Sequence, residues 1–512
     1  MMGMADHLPI LPVLLPLLAG STLLVLHRAS MAWKRTLSLV ATLALGIAVA
    51  GLGLGVERDG LLVYQLGNWP SFAGIVFLAD RLAVLMLGLL VLLALASQLF
   101  ASGGDDRRGP HFHALFQFQL MGLAGAFLTH DIFNLFVFFE VLLAASYGLL
   151  LHGQGGERLR QGLHYVVLNL VASALFLFAV GVLYATLGTL NLSDLSVRMA
   201  ELPDAQQPLV AAGATLLLIV FALKAALLPL YFWLPRTYAA ASAPAAILFA
   251  IMTKLGVYAV IRVYTLVFGV GELAALIQSV LFWAGAGTAA LAALGALAAS
   301  TLRGLLGYLV VGSAGVLFMA VGLGTPQGLA AALYYLVHST LAVAAFFLLA
   351  DWVRRHRNGD ALARVERTAR AGLLGGLFAV LTVAAAGLPP LGGFLGKSLL
   401  LAYTEPSGAG AALWTIVLLA SLFNLIALVR AGSRLFWQQP TVVASRDAAA
   451  VPTPGLGERT GLLLLLAGLL ALTLFAEPIV DYVGGSAAQL ADTAAYREAV
   501  LGLDPLPTTV PR

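Results

Sequence analysis

Cysteine is absent from all 512 residues. Disulfides, thiolate-held zinc and cysteine-ligated iron–sulfur clusters are therefore excluded within this chain. Charge is scarce as well: 10% of residues are Asp, Glu, Lys or Arg, against about 25% in a soluble domain. No GxxxxGK[ST] run occurs, which argues against an ATP-driven pump built on that phosphate cradle. The nine histidines show no metal-ligand spacing, and no cofactor is expected. The opening run MMGMADHLPILPVLLPLLAGSTLLVLHR lacks the basic start of a signal peptide and carries Asp6 and His7 instead. Its apolar stretch is long enough to be a first span.

What the chain has in their place is apolar length. Hydrophobic residues make up 61% of it, so the expected solvent is lipid and the expected fold an all-α polytopic membrane protein. At about 20 apolar residues per crossing, the chain has room for roughly 12 to 15 spans. Runs bounded by charged or Gly/Pro-rich breaks predict about 14 helices, near 8–26, 36–56, 75–100, 112–129, 131–151, 162–190, 208–235, 243–266, 272–299, 301–323, 327–350, 371–403, 410–437 and 460–480. Segments 438–460 and 484–512 read as polar, proline-containing loop and terminus. The Gly/Ala content near 285–300 reads as ordinary helix packing.

The net charge of +4 implies topology, and no nucleic-acid surface is expected. The first loop carries His27, Arg28, Lys34 and Arg35, and the fifth carries Arg158 and Arg160 against Glu157. The seventh has Arg236 and the ninth Arg303. The eleventh has arginines at 354, 355, 357, 364, 367 and 370 against Asp351, Asp360 and Glu366, and the thirteenth has Arg430, Arg434 and Arg446. The even loops are neutral or acidic, at Glu57 and Asp59 around Arg58, at His130–Asp131, at Asp194, Glu201 and Asp204, and at Glu405. The tail adds Glu477, Asp481, Asp492, Glu498 and Asp504. Basic odd loops and non-basic even loops form the positive-inside pattern, which places both termini outside. Two features fit less well: the third loop, Asp105 to Arg108, is neutral, and Arg262 falls on the other side.

An internal match adds a second layer. AALLPLYFWLP (225–235) resembles AGLPPLGGFLG (386–396). Each has Leu-Pro, then an aromatic-Leu pair, then a second helix breaker. They lie in spans seven and twelve, an odd offset, so the two copies cross in opposite directions. Inverted repeats with broken helices characterise many secondary transporters. On this reading spans 4–8 and 9–13 are the copies. Pro229 breaks the first, and Pro389 and Pro390, with Gly392, Gly393 and Gly396, break the second.

Five titratable residues lie far from any predicted span end: Glu140, Lys224, Lys254, His338 and Lys397. Lys224 stands 12 residues before Arg236, roughly 18 Å along a helix, beyond the reach of a snorkelling lysine. Each of the five could be a satisfied structural group, and a mid-span histidine can be a plain helix–helix partner. A mid-bilayer charge, however, costs at least about 2.5–3.5 kcal/mol, which favours function for the set. Desolvation disfavours a charged amine and a nearby carboxylate favours it. A Glu–Lys pair can therefore hold a proton and release it when the carboxylate is drawn away. Beside a break whose freed backbone groups need water or protein partners, a lysine becomes a relay station. Asp80–Arg81, Asp131 and Arg303 read as topological or capping residues, and His111 and His113 as surface residues.

Three stretches, FNLFVFFEVLLAASYGLLL, FALKAALLPLYFWLPRTYAAASAPAAILFAIMTKLGVYAVIRVY and GLPPLGGFLGKSLLL, resemble the antiporter-like proton-translocating subunits shared by respiratory NADH:quinone oxidoreductase and Mrp-type cation/proton antiporters. The resemblance runs through most of 75–437, and DIFNLFVFFEVLLAASY and LPLYFWLPRTY look most like the D subunit of the Mrp (Pha) type. It implies helices 1–3 in 1–110, a first inverted repeat in 111–266, a second in 267–437, and a last loop, helix and tail in 438–512. It also implies a Glu140–Lys224 pair, a connecting Lys254, an exit-side Lys397, and work inside a hetero-oligomeric complex in a bacterial inner membrane. One departure stands out. Relatives often carry a lysine four or five residues past the span-eleven histidine, where this chain has Ala342 and Val343. The central relay then depends on His338, water, and hydroxyls such as Ser339 and Thr340.

The expected function is a non-enzymatic one: proton translocation along Glu140, Lys224, Lys254, His338 and Lys397, coupled to Na+ or K+ moving the other way with partner membrane subunits. The alternatives are a proton-pumping subunit of a redox complex and a degenerate scaffold without transport.

Overall fold

A computed structural model describes residues 4–71, 74–269, 271–357, 359–363, 371–404, 409–438 and 453–502. Lipid offers no hydrogen bonds to the backbone, so long apolar segments satisfy their N–H and C=O groups internally, as helices. In chain order these are α1 (Leu11–Val25), α2 (Met31–Asp59), α3 (Arg81–Ala101), α4 (Phe112–Leu128), α5 (Ile132–Leu151), α6 (Gly156–Leu187), α7 (Leu192–Ala200), α8 (Gln207–Lys224), α9 (Leu234–Ala240), α10 (Ala243–Leu266), α11 (Gly271–Ala298) and α12 (Leu302–Gly322). They continue as α13 (Pro326–Arg357), α14 (Ala371–Ala386), α15 (Gly392–Ala402), α16 (Ala409–Gly432), α17 (Leu456–Leu474), α18 (Ala476–Ala491) and α19 (Thr493–Leu501). Among the described residues, twelve helical segments are long and apolar enough to cross a membrane. α4, α14 and α15 are shorter apolar helices.

One departure from the sequence reading concerns local geometry. Residues expected to begin the third span instead form β2 (Val76–Ala79), paired antiparallel with β1 (Leu62–Gln65), a short ribbon in an otherwise all-α fold. Asp80 ends the strand and caps α3, accepting from Ala83 N at 2.8 Å; the aspartate supplies the acceptor that the first helical turn lacks. The expected spans seven and twelve are each split in two, into α8 with α9 and α14 with α15.

The tail is the largest departure. Residues 476–501 are not irregular: α18 and α19 pack back onto the bundle, with Val483, Ser486, Ala487, Leu490, Tyr496 and Val500 buried. Apolar residues on one face, at 483, 487 and 490, seat a helix whose other face is polar. The stretch therefore looks polar on average.

Hydrogen bonds gather the odd loops at one end of the bundle. Arg35 donates to Asp106 at 2.6 and 2.7 Å, His152 Nε2 meets the Asp105 carbonyl at 2.7 Å, and Arg303 reaches Asp360 and the Ala241 carbonyl. Arg355 pairs with Glu458 at 2.5 Å. The neutral third loop is thereby accounted for, since Asp106 is buried and consumed by Arg35 and by His113 at 3.3 Å. His113 is correspondingly buried, contrary to its surface assignment, whereas His111 is exposed. Arg364, Glu366, Arg367, Arg370, Glu405, Arg446 and Asp504, which enter the charge pattern, lie outside the described residues.

Asp106 gives a pH prediction. Burial raises its carboxyl, but hydrogen bonds from His113 and Arg35 outweigh this and bring it to about 2. That lies below the roughly 3.9 of an unfolded aspartate. The stabilisation is thus complete above about pH 4 and lost as pH falls from there through about 2. Asp106→Asn should lower thermal stability at neutral pH and remove that part of the acid-side loss in a pH series of melting curves. An acid limb identical to wild type would refute the assignment.

The even-loop end is held differently. Arg262 pairs with Asp80, both fully buried, and Tyr496 of α19 donates to Asp80 Oδ2 at 2.6 Å. Arg262 thus violates the charge pattern only in sequence, because its charge is neutralised inside the protein. Asp131 caps α5 through Asn134 N at 2.7 Å, as expected.

α10 and α13 form the interior, buried along nearly their whole length. α11 and α12 touch backbone to backbone where the small residues near 285 predict it. A methyl added at Gly315 would stand 2.7 Å from the Gly285 carbonyl oxygen and 2.6 Å from Ala289 N.

Candidate functional site

Lys224 is the last residue of α8. The break begins there, five residues before Pro229, and is an interruption of the helix where a proline kink is expected. Ala226 turns into the left-handed region at φ 57°. Leu227 N reaches back to the Ala222 carbonyl at 2.8 Å, Leu228 N donates to Thr288 Oγ1 at 2.8 Å, and Trp233 Nε1 donates to the Leu223 carbonyl at 3.2 Å. The freed backbone groups named here are met by protein. The placement also explains how a lysine is tolerated in an apolar run. The C-terminal end of a helix carries partial negative charge from its unpaired carbonyls and favours a cation.

Glu140 and Lys224 form no direct ion pair. α6 supplies the intermediaries, one helical turn apart. Ser173 Oγ donates to Glu140 Oε1, and Lys224 Nζ donates to Asn169 Oδ1 at 3.2 Å. The Lys224 ammonium also lies 5.8 Å from the Phe139 ring centroid. The row Glu140–Ser173–Asn169–Lys224 thus replaces the expected pair. Sequence reasoning misses its α6 members, although Tyr165, Asn169 and Ser173 recur every fourth residue in an apolar span, a polar stripe that is legible. Glu140 itself is only half-buried. It shares a face of α5 with exposed Phe133 and Val137.

Lys254, on α10, is 1% exposed and donates to Ser313 Oγ of α12 at 2.5 Å. Two residues further along α10, a Cβ at Gly256 would come within 2.8 Å of Ala225 N. α10 is therefore pressed against the break beside Lys224.

The second break collects His338 and Lys397. α14 ends at Ala386, and Gly387 leaves the helix at φ 78°. His338 Nε2 meets the Ala384 carbonyl at 3.0 Å. Lys397 Nζ donates to the Ala386 carbonyl and to Ser421 Oγ, both at 2.8 Å. Two cationic or donor side chains thus occupy the C-terminal carbonyls of a half-helix, the position such groups favour. Gly393 is required here, because a Cβ would lie 2.1 Å from the Ala384 oxygen and 2.6 Å from His338 Nε2. Thr473 Oγ1 accepts from Gly392 N at 2.9 Å. A carbonyl can only accept, so His338 Nε2 carries the hydrogen. Its Nδ1 is buried with no partner among the described residues.

A cavity of about 30 Å³ adjoins this group, lined in part by Ser313, His338, Ser339, Lys397, Ser421 and Asn424. It exceeds the roughly 10–15 Å³ that a water centre needs, and its walls offer polar partners. Ala342 and Val343 form part of the wall. Their small side chains leave this space open. Thr340 does not line it; its hydroxyl bonds the Leu336 carbonyl at 2.7 Å.

Residues 129–424 match the family described as NADH:quinone oxidoreductase/Mrp antiporter, transmembrane. The chain is 41% identical to the D subunit of a probable K(+)/H(+) antiporter of Rhizobium meliloti (strain 1021), covering 97% of this chain and 98% of that one. It is 36% identical to the D subunit of the Na(+)/H(+) antiporter of Bacillus subtilis (strain 168), covering 97% and 99%. Its structure resembles a chain of the Mrp complex from Dietzia sp. DQ12-45-1b, with TM-score 0.84 and 28% identity over 98% of this chain and 100% of that one. It also resembles a chain of respiratory complex I from Thermus thermophilus, with TM-score 0.77 and 25% identity over 96% and 99%. The protein belongs to the NADH:quinone oxidoreductase/Mrp antiporter transmembrane family.

Proposed function

We propose that this chain is the proton-conducting subunit of a multisubunit Na+(K+)/H+ antiporter of the Mrp (Pha) type, in a bacterial cytoplasmic membrane with both termini outside. Counting α4 as one crossing and α14 with α15 as one broken crossing brings the twelve long spans to fourteen. In this reading helices 4–8 and 9–13 are inverted repeats, in 111–266 and 267–437. The chain before 111 adds three helices, and 438–512 adds the last span and the returning tail.

The observation that carries the proposal is the buried polar row. It runs from Glu140 through Ser173 and Asn169 to Lys224, passes beside α10 to Lys254 and Ser313, and crosses the small cavity to His338, Lys397 and Ser421. A proton held by Lys254 passes through Ser313 and cavity water. His338 Nδ1 accepts, and the ring offers its Nε2 hydrogen toward the second break. One charge moved through 100 mV is worth about 2.3 kcal/mol, similar to the least cost of a buried charge at mid-membrane. The membrane potential is therefore large enough to bias such a relay. The row holds one carboxylate, so the coupled cation is assigned to another subunit, since Na+ favours carboxylate and carbonyl oxygen. We place a partner subunit over the half-exposed Glu140 face of α5, because a carboxylate turned toward lipid is costly.

The antiporter reading is favoured over a redox-driven pump because the relatives matched along 97% of the chain are named antiporter subunits. The test is cation-induced proton movement in vesicles carrying the whole complex. Glu140→Ala should reduce exchange at least about tenfold, equivalent to about 1.4 kcal/mol in the barrier, while the complex still assembles. Wild-type exchange at normal expression would end the proposal.

A further inference from the structure

The function above makes no use of a second, much wider cavity. About 850 Å³ in volume, it lies at the odd-loop end, where α6 and α12 begin and α9 and α11 end. Six arginines line it, Arg108, Arg158, Arg160, Arg236, Arg303 and Arg354, against two carboxylates, Glu157 and Asp360.

The charges are not balanced among the described residues. Asp360 is paired with Arg303 at 3.1 Å, Arg108 with Asp105 at 3.0 Å, and Arg354 with Asp351 at 2.8 Å. Glu157 accepts from Gln161 at 2.9 Å. Arg158, Arg160 and Arg236 have no carboxylate partner among the described residues. Among the described residues, Arg158 donates to the backbone carbonyls of Ala240 and His152. Arg354 Nε is buried without a partner among the described residues. Such a concentration of guanidinium groups calls for an anion with several oxygens at fixed spacing, which a phosphate supplies and to which arginine binds through two parallel bonds.

A second observation indicates where the phosphate comes from. Arg160 lies on α6 beside exposed Leu159 and Leu163, and the same helix stays apolar and exposed through Val167 and Leu170. Exposed Phe232, whose ring centroid is 6.5 Å from that of His164, stands four residues before Arg236. The basic pocket therefore opens at the head of an uncovered hydrocarbon-compatible surface. A free phosphate needs only the pocket; a phospholipid uses both parts.

We propose that this pocket binds the phosphate of an anionic phospholipid headgroup, with the acyl chains lying along the exposed face of α6. Arg160 and Arg236 are the recognition residues, and Arg158 is held by its two carbonyl contacts as a fixed wall.

The test uses the assembled complex, purified in a zwitterionic detergent and titrated separately with phosphatidylglycerol, phosphatidylcholine and inorganic phosphate while the unfolding temperature is followed. Phosphatidylglycerol should raise it, phosphatidylcholine should not, and R160Q/R236Q should require roughly tenfold or more phosphatidylglycerol for the same rise. R28Q, at an exposed arginine outside the pocket, should respond like wild type. The single variants R160Q and R236Q carry the same test if the double variant fails to assemble. An unchanged response in the pocket variants overturns the site. An equal rise with inorganic phosphate overturns the lipid source in favour of the free anion. Loss of an acidic subunit from the variant complex, with the lipid response intact, overturns it in favour of a protein contact.

Discussion

Vesicles carrying the complex with Lys224→Ala are expected to lose cation/proton exchange by at least about tenfold, while the subunit remains in the membrane at normal levels. The fold-change follows from removing one station of the proposed relay, where each 1.4 kcal/mol added to the barrier is a factor of about ten. Lys224 links two elements that do not otherwise meet through polar groups, the Asn169 amide on α6 and the end of α8 beside α10. Alanine leaves the Asn169 oxygen without its donor and a gap in the row. A structural role would predict the same loss, so the informative variant is Lys224→Arg. Arginine keeps the positive charge at the helix C-terminus, and with it the favourable dipole interaction. Its guanidinium does not deprotonate in proteins, so it cannot release a proton. Lys224→Arg is therefore expected to assemble normally and still fail to exchange. Exchange by Lys224→Ala at the wild-type rate and expression would remove the relay from consideration.

The largest effect on stability is expected at the even-loop end. Arg262→Met leaves Asp80 fully buried without its cation, a change that costs about 3–5 kcal/mol. The carboxylate then retains Tyr496 and the Ala83 amide as donors, which limits the loss without replacing the charge. The double variant Asp80→Asn/Arg262→Met removes both charges and is expected to recover most of the stability, since neutral replacement of a buried ion pair is often nearly neutral overall. Thermal unfolding of the four members of this cycle measures the coupling. If the double variant is as unstable as the sum of the singles, the pair is not the element that holds this end together. Because Tyr496 joins the pair from α19, loosening of the returning tail should accompany the single-variant loss, read as faster proteolysis after residue 475.

Much of this architecture is legible in the amino-acid order. Most expected spans correspond to one helix each, and 243–266 and 272–299 fall within one residue of α10 and α11. The charge alternation also survives as a spatial fact, because the odd loops bond to one another. Where sequence and structure part, competing local chemistry is responsible. The tail averages as polar although one face of α18 is apolar. The strand at Val76–Ala79 merges into the next helix in a sequence reading because a short apolar run carries no period of its own. Pro229 marks a break that in fact begins at Lys224.

What the amino-acid order determined by itself is the solvent, the helical class, the two breaks and the five titratable groups. Each follows from a local cost: backbone groups unmet in lipid, a missing N–H, or a charge too far from water. What only the tertiary structure decided is which groups stand between those five. Asn169, Ser173, Ser313 and Ser421 are ordinary polar residues in their own helices, and they become links only because α6, α12 and α16 bring them within a hydrogen bond of Glu140 or a lysine. The space beside Ala342 and Val343, and the arginines gathered from five separate segments into one pocket, exist for the same reason. Hydrogen bonding and charge act over a few ångströms, and distance in space is set by packing, which no single helix encodes.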